Sequence, residues 1–265
     1  MMRKYDTAAD ACIGEFNHIW EHGESVKPRG LETREVLANQ FVVFHPDHLS
    51  RLTNRGLNMD IGRLEILSLV GQTPADSQQR STPLGRFHDD GIQLGNYGAR
   101  IRGQLQAIVD ELHYDKDSRK AVLSIYDSAR DLGSSTTDLP CTTTLQFLIR
   151  GGVLCLVATM RSSDAVLGLP YDLMQFGAIQ AAVAGDLGLP VGPLWLQAGS
   201  AHVYESSASK MEGVTDAEFI CKVEFSGPVS ESAQFCQDVL AGRPVGSRNE
   251  FERWLGRYNQ HRGEK

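Results

Sequence analysis

Leu139-Pro140-Cys141-Thr142-Thr143-Thr144-Leu145-Gln146-Phe147 sets one cysteine immediately ahead of a β-rich run. Residues 142–149 and 153–160 read as two strands, joined at Arg150-Gly151-Gly152, a good hairpin signal. Beyond the second run come Arg161-Ser162-Ser163-Asp164, then Gly168-Leu169-Pro170-Tyr171-Asp172, then His202-Val203-Tyr204. The spacing predicts a helix over 172–184, rich in small residues and stopped near Gly185, followed by a strand over 193–204. An antiparallel return at Gly151-Gly152 brings Arg161 back towards Cys141. A thiol reacts as a thiolate, which needs a nearby positive charge or dipole, and a guanidinium there also clamps a phosphate in bidentate fashion.

Working outward, residues 7–22 read as a helix, 27–30 as a loop and 36–44 as a strand. Residues 61–70 have helical apolar spacing with Glu65 inside. Residues 72–91, with Thr-Pro twice, read as a long polar loop of the kind that often carries function. Residues 100–112 form an amphipathic helix with Ile101, Leu105, Ile108, Val109 and Leu112 on one face. A strand over 120–126 and a surface turn over 133–138 lead into Pro140-Cys141; a strand over 219–225 and helices over 231–240 and 249–258 close the chain. Strands and helices mix without strict βαβ alternation, so the class is α+β around one large mixed sheet with flanking helices.

The 265 residues, 41% apolar, suit a globular protein with one large domain or two small ones. A net charge of −7 argues against nucleic acid or an anionic membrane as partner, yet leaves room for a small anion in a basic pocket. The longest apolar candidate, 165–184, is interrupted by Pro170 and Asp172, so no membrane span is expected. The opening Met1-Met2-Arg3-Lys4-Tyr5-Asp6 has no signal-peptide character, and five cysteines without paired spacing fit a reducing compartment. The expected location is cytoplasmic, with Cys12, Cys155, Cys221 and Cys236 as small hydrophobes.

From Arg29 to Tyr204 the chain resembles the thymidylate synthase family. Cys141, Arg161-Ser162-x-Asp164, Gly168-x-Pro170-Tyr171-Asp172 and His202-x-Tyr204 stand in the family's order and spacing. Pro28-Arg29-Gly30 resembles its phosphate-binding loop, and Asp117-Ser118-Arg119-Lys120 the segment that members offer across a dimer to the partner's phosphate site. Glu65 resembles the helix glutamate that acts through water near the reacting ring, and Tyr97-Gly98 the pair beside the nucleophile. The resemblance implies a single domain over 1–265, with a helical extension over 1–25 and a divergent part over 205–265, and a homodimer through the sheet face. It also implies catalysis by Cys141, Glu65, Tyr97 and Asp172, with Cys141 adding to C6 of a pyrimidine nucleotide so that C5 attacks the one-carbon unit of 5,10-methylenetetrahydrofolate. Arg29, Arg161 and Ser162, with Arg119 and Lys120 of the other subunit, would hold the phosphate; His202 and Tyr204 the sugar hydroxyl; Asp164, Gly168 and Tyr171 the folate. Tetrahydrofolate would leave, and no metal takes part.

Asp172 departs from the pattern, since thymidylate synthases carry asparagine there. A carboxylate only accepts hydrogen bonds unless protonated. Cytosine presents an N4 amino donor, and its N3 can take a proton as C6 is attacked, so the substrate implied is CMP or dCMP and the product 5-hydroxymethyl nucleotide. The loop over 82–91 lacks the tryptophans with which synthases shield the methylene from water, which also favours hydroxymethyl over methyl. A C5 methylating enzyme, on dUMP or dCMP, is the alternative. Thr142 replaces a common histidine, and 259–265 lack the apolar tail that closes the synthase site. Two other readings compete. His18-x-x-Glu21-His22 matches a zinc-protease pattern but reads first as a solvated helix face, and His45-Pro46-Asp47-His48 reads as a turn. A nucleotide-binding protein without turnover would have no need of Cys141.

Overall fold

A computed structural model describes residues 2–73, 96–135 and 139–259. Its frame is a mixed sheet in which, among the described residues, seven strands pair. They are β1 (Arg3–Thr7), β2 (Glu24–Val26), β3 (Thr33–His45), β5 (Val122–Ser124), β6 (Thr142–Arg150), β7 (Val153–Asp164) and β8 (Val191–Tyr204), in the order β1-β3-β8-β7-β6-β5 with β2 on β3. A small second sheet pairs β4 (His48–Leu52) with β9 (Ala217–Lys222). The β6–β7 hairpin turns at Gly151 and Gly152, whose φ values of 59° and 78° favour glycine. β1 and β3 run parallel, as do β7 and β8, while the other pairs are antiparallel.

Helices cover one face of this sheet. α1 (Ala8–His22) starts at a capping box in which Thr7 and Asp10 bond each other's backbone amides. α2 (Met59–Val70) packs on α6 (Leu169–Leu187), and α8 (Val229–Leu240) packs on both. α6 lies between the sheet and α2, so Leu173, Phe176, Ile179 and Val183 are wholly buried. At its N-terminus Gly168 caps the helix and Asp172 sits in the first turn.

Two expected helices change shape. The run 100–112 divides into α3 (Tyr97–Arg100) and α4 (Gln104–Tyr114), because Gly103 between them has a φ of 77°, outside the α-helical range. α6 starts before residue 172 and runs past Gly185 to Gly188, whose φ of 64° ends it. Gly185 instead permits a close approach, since a Cβ there would stand 2.2 Å from the Phe225 carbonyl oxygen. The strand expected over 219–225 lies at Ala217–Lys222, and the final helix is α9 (Glu250–Gly256), capped by Asn249. Of α5 (Ser128–Asp131) and α7 (Glu205–Ala208), each is a single turn. Most of the long loop over 72–91, part of the turn over 133–138 and the tail over 260–265 lie outside the described residues.

Candidate functional site

Cys141 is half-buried at the entrance of β6, and the hairpin does return Arg161 to it: the Arg161 amide donates to the Cys141 carbonyl at 2.8 Å. The Arg161 guanidinium donates to the carbonyls of Pro140 at 3.0 Å and Leu139 at 3.1 Å. It thereby fixes the segment that carries the thiol. On the other side, Tyr97 from α3 places its hydroxyl 3.1 Å from both the amide and the Oγ1 of Thr142. Burial, then the charges of Asp172 and Cys141, push the Tyr97 phenol well above its ordinary value, so it stays neutral. Gly98 next to it lies too close to the Ser68 carbonyl for any side chain, with a Cβ 2.1 Å away.

Two carboxyls stand close enough to feel one another's charge, half-buried Glu65 from α2 and buried Asp172 from α6. Glu65 accepts a 2.8 Å hydrogen bond from the Gln175 amide, and burial plus the nearby Asp172 push it up to about 8. Asp172 is 9% exposed, and burial with the Asp164 charge raises it to about 7. One of its carboxyl oxygens sits 3.4 Å from where a Gly168 Cβ would be, so Gly168 lies directly against Asp172. Tyr171 turns towards α2, where its hydroxyl accepts from the Asn58 amide at 3.1 Å.

The C-terminal ends of β7 and β8 carry the third group. Asp164 pairs with His202 in parallel register, and its Oδ1 accepts from the Val166 and Leu167 amides at 2.8 and 2.9 Å. The His202 Nδ1 lies 3.4 Å from Ser162 Oγ, and its ring meets Tyr204 edge-on at 4.9 Å. Burial lowers the His202 pKa, Asp164 and Glu35 oppose that shift, and Arg29 and Arg161 add to it. Arg29 reaches in from the Pro28–Gly30 turn and donates to the Tyr204 hydroxyl at 3.0 Å.

Arg29, Glu65, Tyr97, Cys141, Arg161, Ser162, Asp164, Gly168, Tyr171, Asp172, His202 and Tyr204 thus form one connected neighbourhood. Arg119 and Lys120 do not join it within one chain. They lie beside Gln146, whose amide donates to the Arg119 carbonyl at 2.9 Å, and so nearer the hairpin end of β6. Gln146 stands four residues along the strand from Thr142, roughly 14 Å. Sequence reasoning missed Gln175, which stands one helical turn after Asp172, a spacing that could have flagged it. It also missed Glu35, which pairs with His202 across β3 and β8 and accepts from Ser200 Oγ at 2.6 Å. Thr142 is now accounted for as the partner of Tyr97.

The sequence model of the thymidylate synthase family matches residues 15–219, and the chain belongs to that family. It is 34% identical over 207 residues to the deoxyuridylate hydroxymethyltransferase of Bacillus phage SP01, covering 70% of this chain and 54% of the relative. It is 32% identical over 138 residues to the deoxyuridylate hydroxymethyltransferase of Pseudomonas phage M6, covering 49% and 39% respectively. With a putative thymidylate synthase of Methanococcoides burtonii it shares 24% identity over 212 residues, 80% of this chain and 93% of the relative. The chain therefore spans about half the length, or less, of the two phage relatives. The family uses methylenetetrahydrofolate as cosubstrate in one-carbon transfer to a nucleotide. The zinc-protease pattern on α1 finds no support, since the Arg3 guanidinium lies 2.9 Å from His18 Nε2, where a metal would bind. Among the described residues no helix is long and apolar enough to cross a membrane.

Proposed function

We propose that this chain transfers a one-carbon unit from 5,10-methylenetetrahydrofolate to C5 of a cytidine monophosphate, CMP or dCMP, and releases the 5-hydroxymethyl product. The observation that carries this reading is a buried carboxyl, Asp172, whose proton affinity sits near neutrality where the base would lie. Cytosine pairs with such a group through one shared proton. The N4 amino group donates to one carboxyl oxygen, and N3 shares the proton of the other. As the Cys141 sulfur bonds to C6, the displaced electron pair moves through C5 and C4 towards N3, which takes that proton. C5 is then enamine-like and attacks the one-carbon unit. Water held by Glu65 and Tyr97 accepts the C5 proton and passes it to ionised Glu65, whose raised proton affinity, about 8, keeps it within the site. The C5 electron pair expels tetrahydrofolate from the transferred carbon, and water adds to the exocyclic methylene so formed, its proton going to the departing folate nitrogen. The C6–sulfur bond then breaks, freeing Cys141 and restoring the ring as N3 returns its proton to Asp172.

Arg29, Arg161 and Ser162 would hold the phosphate, while His202 and Tyr204 address the 3′-hydroxyl. Asp164, Gly168 and Tyr171 would face the pterin. Arg119 and Lys120 complete a phosphate site only if they come from a partner, which supports a homodimer. The sheet face opposite the helices fits that role: Phe44 and Trp195 are partly exposed there, and Leu148, Cys155, Val157 and Trp195 line a shallow depression of about 360 Å³.

A second reading keeps hydroxymethylation but takes uracil as the base, and the names of the two phage relatives favour it. Protonated Asp172 would donate to O4 and accept from N3–H, the pattern an asparagine offers. Asp172→Asn separates the two. On the cytosine reading it should lower turnover of the cytidine nucleotide about 100-fold or more, because proton donation is lost; on the uracil reading it should leave turnover of dUMP within tenfold. The converse ranking of the bases in that variant overturns the cytosine assignment.

A further inference from the structure

We infer that His45, Asp47 and His48 form a binding site for one divalent transition-metal ion of the zinc class, at the turn between β3 and β4. One imidazole nitrogen from each histidine and one Asp47 oxygen all lie within 4.8 Å of one another. The two rings are already stacked, 4.9 Å apart and 17° from parallel. Two imidazoles and one carboxylate suit zinc, cobalt or nickel far better than magnesium or calcium, which prefer all-oxygen sets.

The turn is anchored from three sides. The Val223 amide donates to the Asp47 carbonyl at 2.7 Å, and His48 pairs with Lys222 across β4 and β9. Gly177 of α6 meets the Pro46 carbonyl so closely that a Cβ would stand 2.2 Å from it. The His48 ring is braced edge-on by Phe219 at 5.5 Å. Asp47, 6% exposed, therefore presents its carboxylate from a fixed backbone, while His45 is exposed and can adjust. Ligands around zinc at about 2.0–2.1 Å stand about 3.3 Å apart, so the three atoms close up when an ion enters.

The present counter-ion of Asp47 is Lys222, 3.5 Å away on a side chain that is 56% exposed. The same ammonium lies 3.9 Å from Glu224. An incoming cation displaces it towards Glu224, so Lys222 competes with the metal for Asp47. The site shares no residue with the nucleotide neighbourhood, and its role is to tie β3, β4 and the packing surface of α6 together.

The test is titration of the chelator-stripped chain with Zn²⁺ by calorimetry and with Co²⁺ by visible absorption. One ion per chain is expected, with ligand-field bands of low-coordinate cobalt. His48→Gln should weaken binding by tenfold or more, and Lys222→Met, which removes the competitor, should tighten it several-fold. His22→Gln removes one member of the other stacked histidine pair, His18 and His22, and should change nothing. Asp47→Asn should also weaken binding, and Lys222→Met carries the test if that variant fails to fold. No stoichiometric binding at micromolar Zn²⁺, loss in His22→Gln instead of His48→Gln, or unchanged affinity in Lys222→Met would each overturn the site.

Discussion

Replacing Asp172 with asparagine should change how the stability of the ligand-free protein depends on pH. Burial and Asp164 raise the Asp172 carboxyl from 3.8 to about 7. The unfolded chain loses this proton near pH 4 and the folded chain near pH 7, so between those values the folded state binds the extra proton. Stability then falls as pH rises through that window and is flat above it. At about 1.4 kcal/mol per pH unit, the full cost is about 4 kcal/mol, of which about 2–3 kcal/mol accrues between pH 5 and pH 8. Asparagine carries no such charge, so Asp172→Asn should gain about 2–3 kcal/mol relative to wild type on going from pH 5 to pH 8. Urea unfolding of both proteins at the two pH values measures this, and any packing change from the substitution cancels in the comparison. If the stability difference is the same at both pH values, Asp172 ionises as a solvated carboxylate does. The proton-sharing account of base recognition then fails.

Cys141→Ser should abolish turnover and keep nucleotide binding within about tenfold, measured by product formation and by calorimetry; a variant that still turns over would remove the thiol from the mechanism. Gln175→Leu takes a donor from Glu65, so the Glu65 carboxyl rises further and the acidic limb of the kcat profile should move to higher pH. A merely structural Gln175 would alter stability and leave the profile in place. Arg29→Ala should weaken nucleotide binding about 10–100-fold by removing one charge-assisted contact, with product identity unchanged. Gly185→Ala should destabilise the fold by about 2–3 kcal/mol in urea melts, because its Cβ would meet the Phe225 carbonyl at 2.2 Å.

The hairpin from Thr142 to Asp164 was legible because β-branched runs flanked a Gly-Gly turn, and its ends met as expected. α1 lies within the span read as a helix, 7–22, and the structure adds its Thr7 cap. Glycine was the ambiguous letter. Gly185 and Gly103 both looked like ordinary helix punctuation or tolerance, yet one relieves a tertiary contact and the other breaks the helix. Only the packing partner, Phe225, forty residues away, decides the first case. Short strands such as β1, β2 and β4 carry too few residues for a period-two signal and gain their pairing from β3 and β9. In the site, residue types with family spacing could be placed, while Glu35 could not, because its relation to His202 exists only in the register between two distant strands. Arg161 was read as an anion clamp, and the structure adds that its guanidinium also holds the carbonyls before Cys141.

The most direct test of the central claim is the mass of the nucleotide formed when the protein is incubated with methylenetetrahydrofolate and CMP, dCMP or dUMP in turn. A gain of one hydroxymethyl group on CMP or dCMP, with dUMP unchanged, is the result expected from a buried Asp172 that shares its proton with cytosine N3. A methyl group on dUMP, with both cytidine nucleotides untouched, would contradict it.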